Sequence, residues 1–521
     1  MPRTDIANYE PVTRSQTARV SETEAEDNSI GSRMRPEPNL RDTVGANYEQ
    51  GWRAKNSTGK EVSIHEGIPQ KQNANTPSRI KENWIIKRGH AISYAGLFLF
   101  TIILYFRPYE YFSFAEWLIS SASWIAIFTL VVFFPTQLAL EGNLTARPGE
   151  VNLVLLFCLA GLLSIPFAIS PGEAWDTFNN PFLKAVLIFL VIVNVVRTER
   201  RLHGLFLLTI AVSCVLSFNA VSDYSAGKLA VEGYRIAGSI GGMFANPNDM
   251  SLHLITVMPI AVALGLGARN VLLKAAYWSA AALMVAGVTV TYSRGGFLGL
   301  IAVVIVLAWK LGRRNRLAAM LLLLVGGLLF IALAPGNYGL RLASIFIPGL
   351  DPNGSRDARW DLFMRSLIVA LRYPFFGIGM GNFHFRGFYE AVSHNAYTQV
   401  AAEMGFLALV IYAKFLLVPL KRLLLIERVT FLPRKASRYY FLAVGLQASL
   451  LGYMVCSFFA SVAYYWYVYY LVGYAVCFRR LYESATGTDL EGILANHKWE
   501  WWKRRRGQPF EPPTPVDAQP G

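Results

Sequence analysis

Three short stretches of this chain carry residue types that could act on a charged or hydroxylated substrate. Ser393-His394-Asn395-Ala396-Tyr397 sets an imidazole between two hydrogen-bonding side chains. Histidine is the usual general base near neutral pH, although such a run also reads as a polar entry into a helix. Thr291-Tyr292-Ser293-Arg294-Gly295-Gly296 places a guanidinium between two apolar blocks. A cation at the centre of a membrane helix costs about 2.5–3.5 kcal/mol on insertion scales, and less near the interface. Arg294 therefore reads as an anion-binding group or as a cation reaching out to lipid phosphates, and the two glycines would let another group approach the backbone. Gly233-Tyr234-Arg235-Ile236-Ala237-Gly238 leads into Phe244-Ala245-Asn246-Pro247-Asn248-Asp249. The asparagines are explained by helix capping. Arg235 stays open between a ligand contact and an ordinary loop cation.

These residues sit between long apolar blocks. The chain has 521 residues, of which 54% are hydrophobic and only 16% charged, with a mean hydropathy of +0.35. Soluble domains carry about 25% charged residues, and a bilayer core needs roughly 20 apolar residues per helix. Apolar blocks fall at 91–106, 117–138, 151–169, 181–196, 202–221, 250–267, 271–290, 295–311, 317–334, 397–420, 439–460 and 464–478. The expected fold class is an all-α polytopic membrane protein of about twelve helices. The net charge of +15 would suggest nucleic acid in a soluble protein. Here the cations crowd between apolar blocks, so no nucleic acid is expected and membrane lipids are.

Orientation follows from positive charge, which stays cytoplasmic in short loops. With the N-terminus inside, the inner loops 141–150, 197–201, 268–274, 310–316 and 421–438 hold sixteen Lys and Arg. The outer loops up to Asp249 and the turns 291–295 and 461–463 hold four. The bias places both termini in the cytoplasm and the three chemical stretches outside it. Residues 1–85 are polar and rich in Asn, Ser, Thr, Pro and Gly, and read as a disordered cytoplasmic segment. Residues 86–480 form the membrane domain, with a long extracytoplasmic loop over 335–395 between helices nine and ten. Within that loop, Asp357 to Leu371 is amphipathic, with Trp360, Leu362, Phe363, Leu367 and Ile368 on its apolar side. It reads as a helix on the membrane surface, ended by Tyr373-Pro374. Gly377-Ile378-Gly379-Met380-Gly381 lacks the strand and acidic residue of a dinucleotide site and reads as a flexible re-entry turn. Residues 481–521 form a basic, aromatic cytoplasmic tail, whose Trp499, Trp501 and Trp502 beside Lys503 and Arg504 suit lipid headgroups.

Outside the membrane, no acidic cluster of metal-ligand type appears, and no phosphate loop appears inside. No metal and no cofactor are therefore expected. Cys158, Cys214, Cys456 and Cys477 all lie in apolar blocks and read as small buried hydrophobes.

In this order the motifs resemble the O-antigen ligase and polymerase superfamily of bacterial envelope enzymes. The resemblance runs through Arg235 before Asn246-Pro247-Asn248, then Ser293-Arg294-Gly295-Gly296, then Arg356 to Trp360. Pro374 to Asn382, Ser393-His394-Asn395 and Glu403-Met404-Gly405-Phe406 complete it. It covers about Leu202 to Leu420 well and the outer helices only in topology. The resemblance implies a glycosyltransferase class C-like enzyme of the bacterial inner membrane. Such an enzyme transfers a glycan from an undecaprenyl diphosphate-linked donor to an acceptor hydroxyl on a glycan, lipid or protein. It further implies that Arg235 and Arg294 hold the diphosphate and that His394 is the catalytic base. Arg356, Arg359 and Asn395 would be additional substrate contacts. A direct displacement would be metal-independent and inverting. A polysaccharide polymerase is the near alternative, and a lipid or glycan transporter the further one. Transporters tend to show internal repeats and midplane charges, which this sequence lacks. A structural scaffold would have little use for two long polar outer segments.

Overall fold

The computed structural model of the protein describes residues 84–111, 121–229, 235–238, 244–314, 355–386, 391–431 and 438–494, with 118, 316–317, 320–321, 324, 327, 339 and 343. The segment expected over 1–85, except its last two residues, lies outside the described residues. So do most of the ninth apolar block, much of the 335–395 loop and the tail beyond 494.

The described residues form helices α1 (Trp84–Phe106), α2 (Ser121–Glu141), α3 (Gly149–Ser164), α4 (Pro171–Val195), α5 (Glu199–Ser225), α6 (Pro247–Gly267), α7 (Val271–Val290) and α8 (Arg294–Leu311). After these come α9 (Ser355–Arg372), α10 (Ala396–Val429), α11 (Arg438–Cys456) and α12 (Trp466–Thr486). Ten stretches among the described residues, corresponding to α1–α8, α10 and α11, are long and apolar enough to cross a membrane. The protein is an all-α, multi-pass membrane protein. Helices suit this setting because each satisfies its own backbone hydrogen bonds without water.

The bundle is built around α6 and α12. Nearly every residue of α6 from Met250 to Gly265 is buried, as expected of a helix that is apolar all round. Helix α12 is less apolar yet as deeply buried, because tyrosines fill it. Tyr470 shares a hydrogen bond of 2.9 Å with Thr101, and the Tyr469 hydroxyl donates to the Ala463 carbonyl at 3.1 Å. Helix α11 packs on α6, α8 and α10. It crosses α6 and α8 at Gly452, where a Cβ would fall 2.6 Å from Val303 and 2.9 Å from Ile255. Small residues permit such crossings.

Helix α10 is broken at Gly405, whose φ of +85° and ψ of 172° are not helical. The segment after α9 docks into the break. The Phe406 amide donates to the Pro374 carbonyl at 2.8 Å, Ile378 to Ala402 at 3.0 Å and Gly379 to Glu403 at 2.9 Å. The buried Glu403 carboxylate accepts from the Gly381 amide and the Tyr464 hydroxyl, at 2.9 and 2.8 Å. The glycine-rich turn is thus pinned and not flexible. Gly377, Gly379 and Gly381 all have left-handed φ, and a Cβ on Gly377 would lie 2.2 Å from the Glu403 backbone.

One end of the bundle gathers cations from five helix ends. Arg422 pairs with Glu150 and Glu491, and Arg479 reaches Glu483 at 3.2 Å and Glu150 at 3.6 Å. Glu427 takes Lys310 and, at 3.0 Å, Arg313. Arg197 pairs with Glu141 and Arg438 with Glu199. These are the residues whose positive charge set the expected orientation.

Candidate functional site

A cleft of about 520 Å³ opens at the opposite end. It is lined by the starts of three helices: Arg294, Gly295 and Leu298 of α8, Asp357, Arg359, Trp360 and Phe363 of α9, and Ser393, His394 and Asn395 at the entry to α10. Phe458 and Phe459, just after α11, close one side. A helix N-terminus presents unpaired amides and about half a positive charge. Three of them beside two guanidiniums make this cleft suited to an anion.

The α8 start is built by Ser293. Its Oγ caps the helix by accepting from the Gly296 amide at 3.1 Å, and the preceding Tyr292 takes a left-handed φ of +50°. That conformation is uncommon for a bulky residue. It is held where the Tyr292 and Tyr224 hydroxyls meet at 3.1 Å. The two glycines serve the fold: a Cβ on Gly295 would lie 2.8 Å from Phe459, and one on Gly296 2.5 Å from Ser251. The groups that approach this backbone are protein side chains.

Arg235 is buried behind the turn. Its Nε donates to the Thr291 carbonyl at 3.1 Å and one Nη to Asn248 Oδ1 at 3.0 Å. The same Asn248 oxygen accepts from Ser293 Oγ at 2.8 Å. Asn246 caps α6 as expected, accepting from the Asn248 amide at 2.8 Å. Arg235 thus braces the residues on either side of Tyr292, and it is not among the residues lining the cleft.

His394 also has a left-handed φ of +50°. The residues beside it fix that backbone. Asn395 Oδ1 caps α10 by accepting from the Tyr397 and Thr398 amides at 2.9 and 3.0 Å. Ser393 Oγ donates to the Asn395 carbonyl at 3.0 Å and meets Ser461 Oγ at 3.1 Å. Ser393 and Asn395 therefore orient the main chain that carries the ring. Burial, and then the positive charge of Arg359, lower the His394 imidazole from its ordinary value to about 4. The ring is neutral near pH 7 and can accept a proton. Asn395 Nδ2 is buried with no hydrogen-bond partner among the described residues. An orphaned donor of this kind costs roughly 1–3 kcal/mol, which an oxygen bound in the cleft would recover.

The structure brings together Arg294, Arg359, His394 and Asn395. The Arg356 backbone lies in the first turn of α9, and its side chain is outside the described residues. Two further histidines are engaged elsewhere. His384 Nε2 is 3.2 Å from Glu173 and its Nδ1 is 2.9 Å from the Gly381 carbonyl. His253 lies inside α6, bonded to Ser213 at 3.0 Å and packed on Tyr105 and Phe244. Sequence reasoning missed Phe458 and Phe459 as walls, and had Asp357 and Trp360 only within the Arg356–Trp360 motif and the amphipathic run. Among the described residues, no group of three His, Cys, Asp or Glu is placed to hold a metal ion.

Residues 279–413 match the model of the O-antigen ligase family. The matched stretch contains Arg294, Arg359, His394 and Asn395 and leaves Arg235 outside it. That stretch is thus similar to the O-antigen ligase family, the superfamily that the motifs resemble. A comparison with curated proteins returned no match.

Proposed function

We propose that the cleft transfers a glycan from a polyprenyl diphosphate carrier to an acceptor hydroxyl, on the side of the membrane away from the cytoplasm. The observation that carries this reading is the meeting of Arg294, a neutral His394 and three helix starts in one cleft. The leaving group in such a transfer is a diphosphate, which needs positive charge and donors more than it needs an acid. Arg294 offers the guanidinium fork that fits phosphate oxygens, and the α8 start adds its amides. The Asn395 amide is a further donor. Arg235 acts from behind by holding the Arg294 turn. His394 takes the proton of the attacking hydroxyl as the new C–O bond forms. The bond from the sugar to the phosphate breaks, and the carrier diphosphate leaves with the electron pair. One displacement inverts the anomeric centre. The orientation rests on the charge bias of the loops, and a cleft at a bundle end lets the carrier's tail stay in lipid.

The test is transfer by the purified full-length chain in lipid nanodiscs. It would be given carrier-linked glycan and the envelope glycolipids of the cells that make the protein. Transfer is expected to proceed with chelator present and to yield the inverted linkage. No transfer by wild type, or transfer that chelator abolishes and one divalent ion restores, would contradict the proposal. Deleting the gene separates the two acceptor classes. Loss of attachment with polymer intact indicates a ligase, and single repeat units in place of chains indicate a polymerase.

A further inference from the structure

The cleft has an aromatic wall that the transfer chemistry leaves unused. Trp360 is 58% exposed although it lines the same cleft as Arg294 and His394. Its ring stacks on Phe363, with centroids 5.8 Å apart and planes 28° apart. Phe363 meets Phe458 at 5.9 Å, and Phe458 meets Phe459 at 5.3 Å. Phe459 packs on the backbone of Gly295. A strip of rings therefore runs from the foot of Arg294 out to Trp360 on α9. A large exposed ring beside charged groups in a largely apolar cleft suits an occupant with one apolar face and a polar rim.

We propose that Trp360, Asp357 and Arg359 form the subsite for a pyranose ring of the acceptor glycan. This rests on the transfer reading above. One face of a pyranose is a row of C–H bonds that packs flat on an indole, while its rim of hydroxyls needs acceptors and donors. Asp357 lies one helical turn before Trp360 and so shares its face. It can accept from hydroxyls, and Arg359 can donate to them. The carboxylate also decides which sugar sits here. Neutral hydroxyls tolerate Asp357, whereas a ring bound next to a diphosphate would bring two negative charges towards it. Arg359 acts on the His394 ring, so a glycan held beside it presents its hydroxyl near the base. The lipid-facing reading suits a different part of α9. Ile368 and Leu371, each 64% exposed, lie beyond the cleft lining and continue the apolar face of the helix.

The experiment measures initial rates with the full-length chain in nanodiscs. The probes are carrier-linked glycan and envelope glycolipid acceptor from the producing cells. Trp360→Ala is expected to raise the acceptor KM about tenfold, the effect of losing a stacked ring, with kcat and donor KM close to wild type. Trp360→Leu keeps bulk and helix preference and should behave alike, whereas Trp360→Tyr should recover most of the affinity. Ile368→Ala should match wild type. A rise in donor KM in place of acceptor KM would overturn the assignment, as would an Ile368→Ala variant as impaired as Trp360→Leu. So would unchanged acceptor KM in both Trp360→Leu and Trp360→Ala while His394→Ala still stops transfer. No transfer by wild type would instead refute the transfer reading itself.

Discussion

Both ends of this bundle are rich in cations, and the two ends treat them differently. At the basic end the positive side chains close on carboxylates of the protein. Glu150 and Glu427 are fully buried and each takes two basic side chains. At the other end Arg294, Arg359 and His394 line an open cleft in which Asp357 is the one carboxylate among the lining residues. The basic end has a pocket too, of about 390 Å³, lined by Arg200, His203, Tyr277, Arg438 and Tyr439. Glu199 stands within it, bonded to both Arg438 and Tyr439. The contrast separates cations that hold helices together from cations that line a cleft. Local sequence does not distinguish them, because each is an arginine or lysine at the edge of an apolar block.

Substitutions at the two ends should therefore fail in different ways. The largest effect is expected at the cleft. His394→Ala should lower kcat by about 10²–10⁴-fold, the usual weight of one general base. His384→Ala, which only loses its contacts to Glu173 and Gly381, should change kcat little. Next comes Arg294→Ala, which should reduce kcat/KM for the donor by roughly 10²-fold without unfolding, since truncating a charged partner costs several kcal/mol. Lysine should rescue only in part, because it lacks the fork. At the basic end Glu150→Ala leaves Arg422 and Arg479 short of a buried partner. It should cost roughly 3–5 kcal/mol of stability, read as a lower unfolding midpoint, while the folded fraction turns over normally. A loss of turnover without a loss of stability there would erase the contrast.

The smallest expected effect is a shift in pH dependence. His394 works in its neutral form, and its value of about 4 keeps it neutral above pH 5. The kcat/KM profile should be level from pH 7 to 5 and fall as pH drops through about 4, where the protonated ring can no longer accept. Arg359→Gln removes one of the two causes of that low value, so the acid limb should move to higher pH. An unmoved limb would mean that the titrating group is not His394.

Much of the fold was legible because its signals are local. Apolar blocks mark most described helices, although α1 starts before its block and α10 and α12 run on past theirs, and the amphipathic run 357–371 became α9 at Ser355–Arg372. The fourth block is less faithful: it starts at 181, whereas α4 begins at Pro171 and passes through a π-helical kink at Phe178–Leu183. A proline and two asparagines break the apolar pattern there without ending the helix. At the site, Arg294, Arg359, His394 and Asn395 could be picked by residue type. The partners that define their roles could not, because they come from far along the chain. Ser461 is 68 residues from Ser393, and Tyr464 is 61 from Glu403. Asn248 turns Arg235 away from the cleft lining and into a brace. The left-handed backbones of Tyr292 and His394 leave no trace in residue pattern either, since neither residue is a glycine.

The most direct measurement asks which end takes the carrier. A polyprenyl diphosphate bearing a photoreactive group near its phosphates would be bound to the full-length chain in nanodiscs, crosslinked and mapped by mass spectrometry. The account predicts crosslinks within 294–298 and 393–395, lost in Arg294→Ala and kept in Arg438→Ala. Crosslinks around Arg200, His203 and Arg438 that survive Arg294→Ala would place the diphosphate at the basic end and contradict it.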